Sequence, residues 1–218
     1  MKEVFKDFFK KSWVKWLCLI LTVVMACGAI ISLFPSEEVK EKTPAVRRIV
    51  LSDCENLDGW TAANASTVSL SDTIYRTGSH SIVLNLSSFK DTSGDNVTLR
   101  YVTENFIDIS DMTHIGFDFY ISVKENMPNG ISFTFEIGSA KVIDVDELTG
   151  TFNMFNLKDG WNHIEFDLSV LREMGDCDLK NIRRFRIYDE GMPTVESKVT
   201  FAIDNIYFTN RPTGNTYS

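Results

Sequence analysis

Alternation of apolar and polar side chains dominates the chain from residue 46 onward. In the stretches 113–123, 130–138, 160–169 and 181–189, apolar side chains recur at every second position, with polar or small ones between them. This period of two places successive side chains on opposite faces of a β-strand, so each stretch predicts a strand with one face in a core. The predicted inward side chains are those of Ile115, Phe117, Phe119, Ile121, Val123, Ile131, Phe133, Phe135, Ile137, Ile164, Phe166, Leu168, Phe185 and Ile187.

Turn signals separate these stretches. Asn129-Gly130 suits a tight hairpin because both residues tolerate positive φ, and the stretches 158–160 and 189–193 carry further turn residues. Shorter alternating stretches predict additional strands at 46–51, 81–86 and 96–103. Many short strands with a single apolar face predict an all-β fold, in which two antiparallel sheets pack as a β-sandwich.

The N-terminal part of the chain has a different pattern. Residues 16–34 run for 19 positions without a charge, and lysines crowd residues 1–15. About 20 apolar residues in a helix span a bilayer core, and flanking lysines mark the cytoplasmic side. We therefore predict a cytoplasmic basic segment, one transmembrane signal anchor at 16–34, a charged linker at 35–45, an extracellular β-sandwich domain at 46–210 and a tail at 211–218.

Two other interpretations of the apolar segment stay open. Small residues near Ala26 and Ala29 suit a signal peptidase, so the segment can instead be a cleaved signal peptide of a secreted protein. A lipoprotein signal ending at Cys27 is the third interpretation, and it predicts a lipid-anchored protein. All three export the domain across the cell membrane.

The charge of the chain narrows the classes of molecule that it can bind. The chain carries 30 acidic and 22 basic residues, for a net charge of −8, and most of the acidic excess follows residue 35. Nucleic acid is therefore a poor partner, because its phosphates need a basic surface, whereas neutral sugars and cations fit.

Of the four cysteines, Cys54 and Cys177 lie in the predicted domain, and a single bridge between them is possible in an oxidising compartment.

Five segments occur in an order that resembles a known family. They are "LSDCENLDGW", "YRTGSHSIVLNL", "DGWNHIEFDLS", "IRRFRIYD" and "FAIDNIYF", within residues 48–209. The chain resembles jelly-roll carbohydrate-binding modules of the galactose-binding-like superfamily. This resemblance implies a jelly-roll sandwich that recognises an oligo- or polysaccharide without catalysing a reaction.

Asp204 interrupts the apolar pattern of the predicted last strand, between Ala202 and Ile206. A buried carboxylate is costly without a partner, and calcium binds carboxylate and carbonyl oxygens. The resemblance implies a structural calcium ion that joins the first and last strands. Its expected ligands are Asp53, Glu55, the carbonyl region of Ser79, and Asp204. The alternatives are hydrogen bonds from turn amides, or a position at the rim of the sheet.

Aromatic and planar polar side chains on the outward strand faces are the candidates for binding sugar. These predicted ligand-binding residues are Tyr120, Glu136, Trp161, Arg186 and Tyr188. If their strands share a sheet, sugar rings would stack on the tyrosines and accept or donate hydrogen bonds at Arg186 and Glu136. The sequence shows no cluster of exposed tryptophans, which argues against tight polysaccharide binding. Trp161, like Trp60, follows a glycine at a strand start, where the resembled family more often uses tryptophan for packing.

No pattern in the sequence indicates catalysis. The three histidines have no zinc-ligand spacing, and neither a nucleophile elbow nor a glycine-rich phosphate loop is present. We therefore predict that the protein is not an enzyme. Two alternatives remain: a cell-surface structural or protein-interaction domain of an envelope complex, and a small glycan-active enzyme with two carboxylates about 5–9.5 Å apart in one cleft.

Overall fold

The computed structural model describes residues 45–63, 66–86, 98–122, 132–189 and 199–214. The predicted anchor at 16–34, the linker and the Asn129-Gly130 turn lie outside these residues. Within them, no helix is long and apolar enough to cross a membrane.

The described residues form twelve β-strands, numbered in chain order. They are β1 (Arg48–Ser52), β2 (Trp60–Ala63), β3 (Ser66–Ser71), β4 (Ser81–Leu86), β5 (Thr98–Ile107), β6 (His114–Ile121), β7 (Ser132–Gly138), β8 (Glu147–Asn153), β9 (Gly160–Asp167), β10 (Arg172–Met174), β11 (Ile182–Asp189) and β12 (Phe201–Thr209). Helical structure in the same residues is confined to two 3₁₀ turns, Met154–Asn156 and Leu168–Val170.

The strands make two six-stranded antiparallel sheets. Sheet I has the order β3-β4-β12-β6-β9, and β1 also pairs with β12. Sheet II has the order β10-β8-β7-β11-β5-β2. The apolar faces of both sheets contribute to one buried cluster, which confirms the predicted all-β fold of two antiparallel sheets in a sandwich.

Phenylalanine rings from both sheets meet at the centre of this cluster. Phe117 of sheet I is fully buried, and its ring centroid lies 5.3 Å from those of Phe135 and Phe185 and 6.0 Å from that of Phe152, all in sheet II. The tilted and edge-on geometries are those that aromatic rings favour. Period-two alternation predicted Phe117, Phe135 and Phe185 as inward residues, and the structure confirms all three.

The alternation of apolar and polar residues did not predict four strands. β2 and β3 are short and rich in Ala, Ser and Thr, β8 contains Gly150, and β10 has only three residues, so none shows a run of large apolar residues. Ile182 lies in the core, although strict alternation placed it outward with Arg184. The register between β11 and β5 shifts between these two residues, so a bulge turns Ile182 inward.

Strand β12 organises sheet I. Its first half, Phe201–Ile203, pairs with β4, and its second half pairs with β1. Both halves pair with β6 on the other side, with a register shift between Asp204 and Tyr207. Asn205 has φ 60° at this shift, a left-handed conformation that asparagine tolerates better than most residues. The last strand therefore joins three other strands of the sheet.

The two cysteines of the domain are free thiols. Cys54 and Cys177 are both buried, and neither forms a disulfide. Burial raises the pKa of the Cys54 thiol to about 12, so it stays protonated at neutral pH.

Candidate functional site

The outward face of sheet II is a grid of polar side chains. Strand register aligns four residues across β5, β11, β7 and β8 in each of three rows. The first row is Thr98, Tyr188, Thr134 and Thr151; the second is Arg100, Arg186, Glu136 and Thr149; the third is Val102, Arg184, Gly138 and Glu147. We call this surface the polar face.

An ion pair fixes the middle of the polar face. Arg186 donates from Nε and Nη2 to the two carboxylate oxygens of Glu136, each at 2.5 Å. Burial opposes the charge on Arg186, but the hydrogen bonds and charge of Glu136 outweigh this effect and raise the Arg186 pKa. The guanidinium carbon of Arg186 lies 4.6 Å from the ring centroid of half-buried Tyr188. An aromatic ring and a rigid, planar hydrogen-bonding pair therefore lie side by side.

A second ion pair is completely buried in the third row. Arg184 and Glu147 both have 0% exposure, and Arg184 Nη2 donates to Glu147 Oε2. Gly138 leaves room for this guanidinium, because a Cβ at position 138 would lie 2.5 Å from Arg184 Nη2. Burial and the charge of Glu136 raise the Glu147 pKa, against the opposing effect of Arg184.

The loop between β7 and β8, residues 139–146, covers the second and third rows. Its main-chain carbonyls at Lys141 and Val142 accept hydrogen bonds from Arg100 and Arg184, the latter at 2.6 Å. The carboxylate of Asp144 accepts from Arg186 Nη2 at 2.7 Å. All three arginines of the polar face therefore donate to this β7–β8 loop.

The predicted sugar-binding residues separate into two groups. Glu136, Arg186 and Tyr188 share the polar face of sheet II. Tyr120 and Trp161 instead face each other across β6 and β9 in sheet I, with ring centroids 5.4 Å apart in an edge-on contact. The five residues therefore do not form the single platform that the sequence analysis considered.

A polar cluster that the sequence analysis did not identify lies beside Tyr120 and Trp161 on sheet I. His163 Nδ1 lies 3.1 Å from Asp118 Oδ1, and His163 Nε2 lies 3.3 Å from the Tyr207 hydroxyl. The hydrogen bond with Asp118 raises the His163 pKa, although burial opposes it. Glu165 is fully buried there, and its two carboxylate oxygens accept the main-chain N–H of Thr213 at 2.9 and 3.0 Å. The alternation of apolar and polar residues places Asp118, His163 and Glu165 on outward strand faces. It does not show that β6 pairs with β9, which brings these residues together.

The expected calcium ligands contact the loop between β3 and β4. Asp204 is fully buried, and one of its oxygens accepts the main-chain N–H groups of Arg76 and Thr77, both at 2.8 Å. Glu55 accepts the main-chain N–H of Ser79 at 2.9 Å and its hydroxyl at 2.7 Å. These hydrogen bonds are the contacts that the turn-amide alternative expects, and they satisfy Asp204 in part without a cation.

The remaining expected ligand, Asp53, is exposed, and it accepts the N–H of Glu55 at 3.2 Å. Among the described residues, three carboxylates have oxygens within 4.8 Å of one another only at Glu136, Asp144 and Glu147. Each of these already pairs with Arg184 or Arg186. Calcium at Asp53, Glu55, Ser79 and Asp204 stays a prediction.

Glu55 gives the protein a measurable acid sensitivity. The hydroxyl and N–H of Ser79 lower the Glu55 pKa from 4.5 to about 2. A carboxyl with a lowered folded-state pKa stabilises the fold above its unfolded pKa, and this contribution is lost as the pH falls towards the folded value. We expect Glu55→Gln to flatten the fall in melting temperature between about pH 4.5 and pH 2, the two pKa values. An unchanged slope in a pH series would contradict the contact, and Asp72→Asn, at an exposed position in the β3–β4 loop that also carries Ser79, is the control.

Comparison with known structures identifies the fold. Searches against protein-family models and against curated proteins find no match. Among solved structures, the chain has the fold of β-sandwich carbohydrate-binding modules.

A family 11 carbohydrate-binding module from Clostridium thermocellum, in complex with a β-1,3-1,4-mixed-linked tetrasaccharide, matches with a TM-score of 0.51 and 19% identity over 76% of this chain and 96% of the module. The same family's module from the cellulase Lic26A-Cel5E of Clostridium thermocellum matches with a TM-score of 0.50 and 20% identity, over 80% and 99% of the two chains. An exo-β-agarase matches with a TM-score of 0.52 and 15% identity, but over only 25% of its own length. At these identities the likeness shows the fold alone.

Proposed function

We propose that this protein is a non-catalytic glycan-binding module and that it binds sugar on the polar face around Tyr188. The observation that carries this proposal is the half-buried Tyr188 ring beside the fixed Arg186–Glu136 pair. Sugar rings present apolar faces that stack on aromatic rings, and their hydroxyls bond to planar charged groups. The shared fold with modules whose structures include a bound oligosaccharide supports the proposal.

The first row of the polar face completes the proposed site. Thr98 and Thr134 flank Tyr188 on the neighbouring strands, and Thr151 follows Thr134, with their hydroxyl oxygens 3.1 Å apart. Thr134 is only 1% exposed, whereas Thr98 is half-buried and Thr151 is exposed, so the hydroxyls of Thr98 and Thr151 can exchange hydrogen bonds with sugar hydroxyls in either direction. The Arg186–Glu136 pair is already formed, with side chains 9% and 2% exposed, so a sugar at Tyr188 would meet a ring whose neighbour is fixed and would have few groups to order.

Replacement of Tyr188 tests the proposal. We expect Tyr188→Ala to weaken glycan binding about tenfold or more, which corresponds to about 1.4 kcal/mol, whereas Tyr188→Phe should keep the stacking contact and most of the affinity. The measurement is a glycan array with the full-length chain in mild detergent, followed by calorimetry on the best ligand. Tyr75→Ala is the matched control, since Tyr75 is 45% exposed and lies on the β3–β4 loop. The proposal would be contradicted if the chain bound no plant, host or cell-wall glycan on the array, or if Tyr188→Ala bound the best ligand with the same affinity as the natural chain.

We further propose that residues 16–34 tether the domain to the cell membrane and that the domain is extracellular. The uncharged run of 19 residues behind a lysine-rich segment supports this proposal. Protease added to intact cells should then digest the domain. Full protection of the domain, with digestion only after lysis, would contradict it.

A further inference from the structure

The polar face carries one more positive charge than it can balance with its own carboxylates. Its three strand-borne arginines are Arg100, Arg184 and Arg186, and its two carboxylates are Glu136 and Glu147. Arg100 pairs with Arg186 across β5 and β11, and burial together with the charges of Arg184 and Arg186 lowers the Arg100 pKa. In this arrangement the balancing carboxylate comes from the β7–β8 loop, at Asp144.

The β7–β8 loop presents to these arginines the groups that a ligand would present. Two neutral oxygens, the carbonyls of Lys141 and Val142, and one carboxylate, that of Asp144, accept their hydrogen bonds. A sugar that bears a carboxyl group offers the same set, because it combines neutral hydroxyl and ring oxygens with one carboxylate. Planar guanidinium groups bind carboxylates in preference to neutral oxygens.

Where it covers the face, the β7–β8 loop is held by polar contacts, namely the three arginine hydrogen bonds and an ion pair between exposed Lys141 and Glu104 at 2.6 Å. Val142 and Val145 are 64% and 43% exposed, so the loop buries little apolar surface, and the side chain of Asp144 is 63% exposed. Asp144 has φ 59° and Asp146 has φ 48°, both in the left-handed region that costs most residues energy. The base of the loop is fixed, since Ser139 N–H donates to the Asp146 carbonyl at 3.1 Å. A ligand that offers the arginines replacement oxygens would therefore displace the segment between these residues while its ends stay in place.

Buried polar atoms beneath the loop lack hydrogen-bond partners among the described residues. They are Arg100 Nε, Arg184 Nε, Glu147 Oε1 and Thr149 Oγ1. Arg184 and Glu147 have 0% exposure, so these atoms are costly to leave unsatisfied. The face therefore has a larger hydrogen-bonding capacity than the loop uses.

We propose that the ligand of the polar face is a carboxylate-bearing glycan, whose carboxylate takes the place of Asp144 at Arg186 as the β7–β8 loop moves aside. This inference rests on the proposed glycan-binding function and names its ligand class. The negative net charge of the whole chain does not oppose it strongly, because exposed charges beyond about 8 Å are screened at physiological salt while a pair in a partly buried site is not. The affinity should consequently change little as salt is added.

The test compares one acidic sugar with its neutral form. The probe is an α-1,4-linked oligogalacturonate, and its methyl ester has the same sugar skeleton without the charge. We expect the full-length chain in mild detergent to bind the acid at least tenfold more tightly than the ester. A panel of glucuronate, mannuronate and hyaluronan oligosaccharides, each beside its methyl ester, extends the test to other linkages.

Asp144→Asn isolates the role of the loop. It removes the competing carboxylate, and asparagine tolerates φ 59°, so the loop should fold as before. We expect it to bind the acidic probe about two- to fivefold more tightly than the natural chain, as the loss of one exposed ion pair allows. Asp111→Asn is the matched control, since Asp111 lies in the turn between β5 and β6, is 51% exposed against 63% for Asp144, and pairs with Arg47.

The outcomes separate this inference from the function on which it rests. Binding of neutral glycans with no preference for any acid over its ester would overturn the ligand class and leave the glycan-binding function standing. Unchanged or weaker binding of the acid by Asp144→Asn would overturn the role of the loop. Binding of no sugar, acidic or neutral, would overturn the proposed function itself.

Discussion

Replacing Arg184 by methionine is expected to destabilise the protein by about 3–5 kcal/mol, because it leaves the carboxylate of Glu147 buried without its partner. Both side chains have 0% exposure, so water cannot take over the role of the guanidinium. The carbonyl of Val142 would also lose its donor at 2.6 Å. Urea unfolding at neutral pH measures the change as a lower midpoint.

A double replacement controls this experiment. Arg184→Met combined with Glu147→Leu removes both charges, and it should recover most of the lost stability, since apolar pairs often replace buried ion pairs without cost. Arg172→Met removes an exposed arginine of β10 and should change stability by less than about 0.5 kcal/mol. A single Arg184 variant as stable as the natural chain would show that the pair is not formed in solution.

Replacing Asp204 by alanine is expected to cost about 3 kcal/mol or more. The carboxylate accepts the main-chain N–H groups of Arg76 and Thr77, and a buried hydrogen bond to a charged group contributes about 1.5–3 kcal/mol. Loss of the acceptor leaves two turn amides without a partner and detaches the β3–β4 loop from β12. Urea unfolding measures the loss, and Asp72→Ala, at an exposed position in the same loop, is the control.

The Asp204→Ala variant also distinguishes turn amides from calcium as the partner of the buried carboxylate. If turn amides are the partners of Asp204, a chelator leaves the midpoint of the natural chain unchanged and calcium does not raise it. If calcium is bound at Asp53, Glu55, Ser79 and Asp204, added calcium raises the midpoint of the natural chain but not that of Asp204→Ala. A midpoint for Asp204→Ala equal to that of the natural chain would contradict both explanations of the buried carboxylate.

The sequence predicted the core of the sandwich better than its surface. Alternation identifies which side chains of one strand face inward, because the period of two is a local property of the backbone. Phe117, Phe135 and Phe185 were found in this way. Asp204 was singled out for a related reason, since it stands between apolar residues on one face of its strand, and the structure shows that it is buried and not at the rim of the sheet.

The candidate site depended on contacts that alternation does not contain. Tyr120 and Tyr188 both read as outward tyrosines, yet one lies on sheet I and the other on sheet II, and only strand pairing separates them. Arg184 also read as outward, and its complete burial arises from the β7–β8 loop that covers its face. That loop binds the arginines largely through main-chain carbonyls, which every residue possesses, so no sequence signal marks it.

The position of β12 in sheet I has a consequence for folding kinetics. Strands β1, β4 and β6 all pair with β12, although it follows every one of them in the chain, and Arg48 pairs with Thr209. Contacts between such distant residues require large loops to close before they contribute, so folding is expected on a timescale of about milliseconds to seconds. Sheet I cannot form completely until residue 209 has been synthesised. Until then, the edges of β1 and β4 that pair with β12 stay unpaired and accessible to other chains.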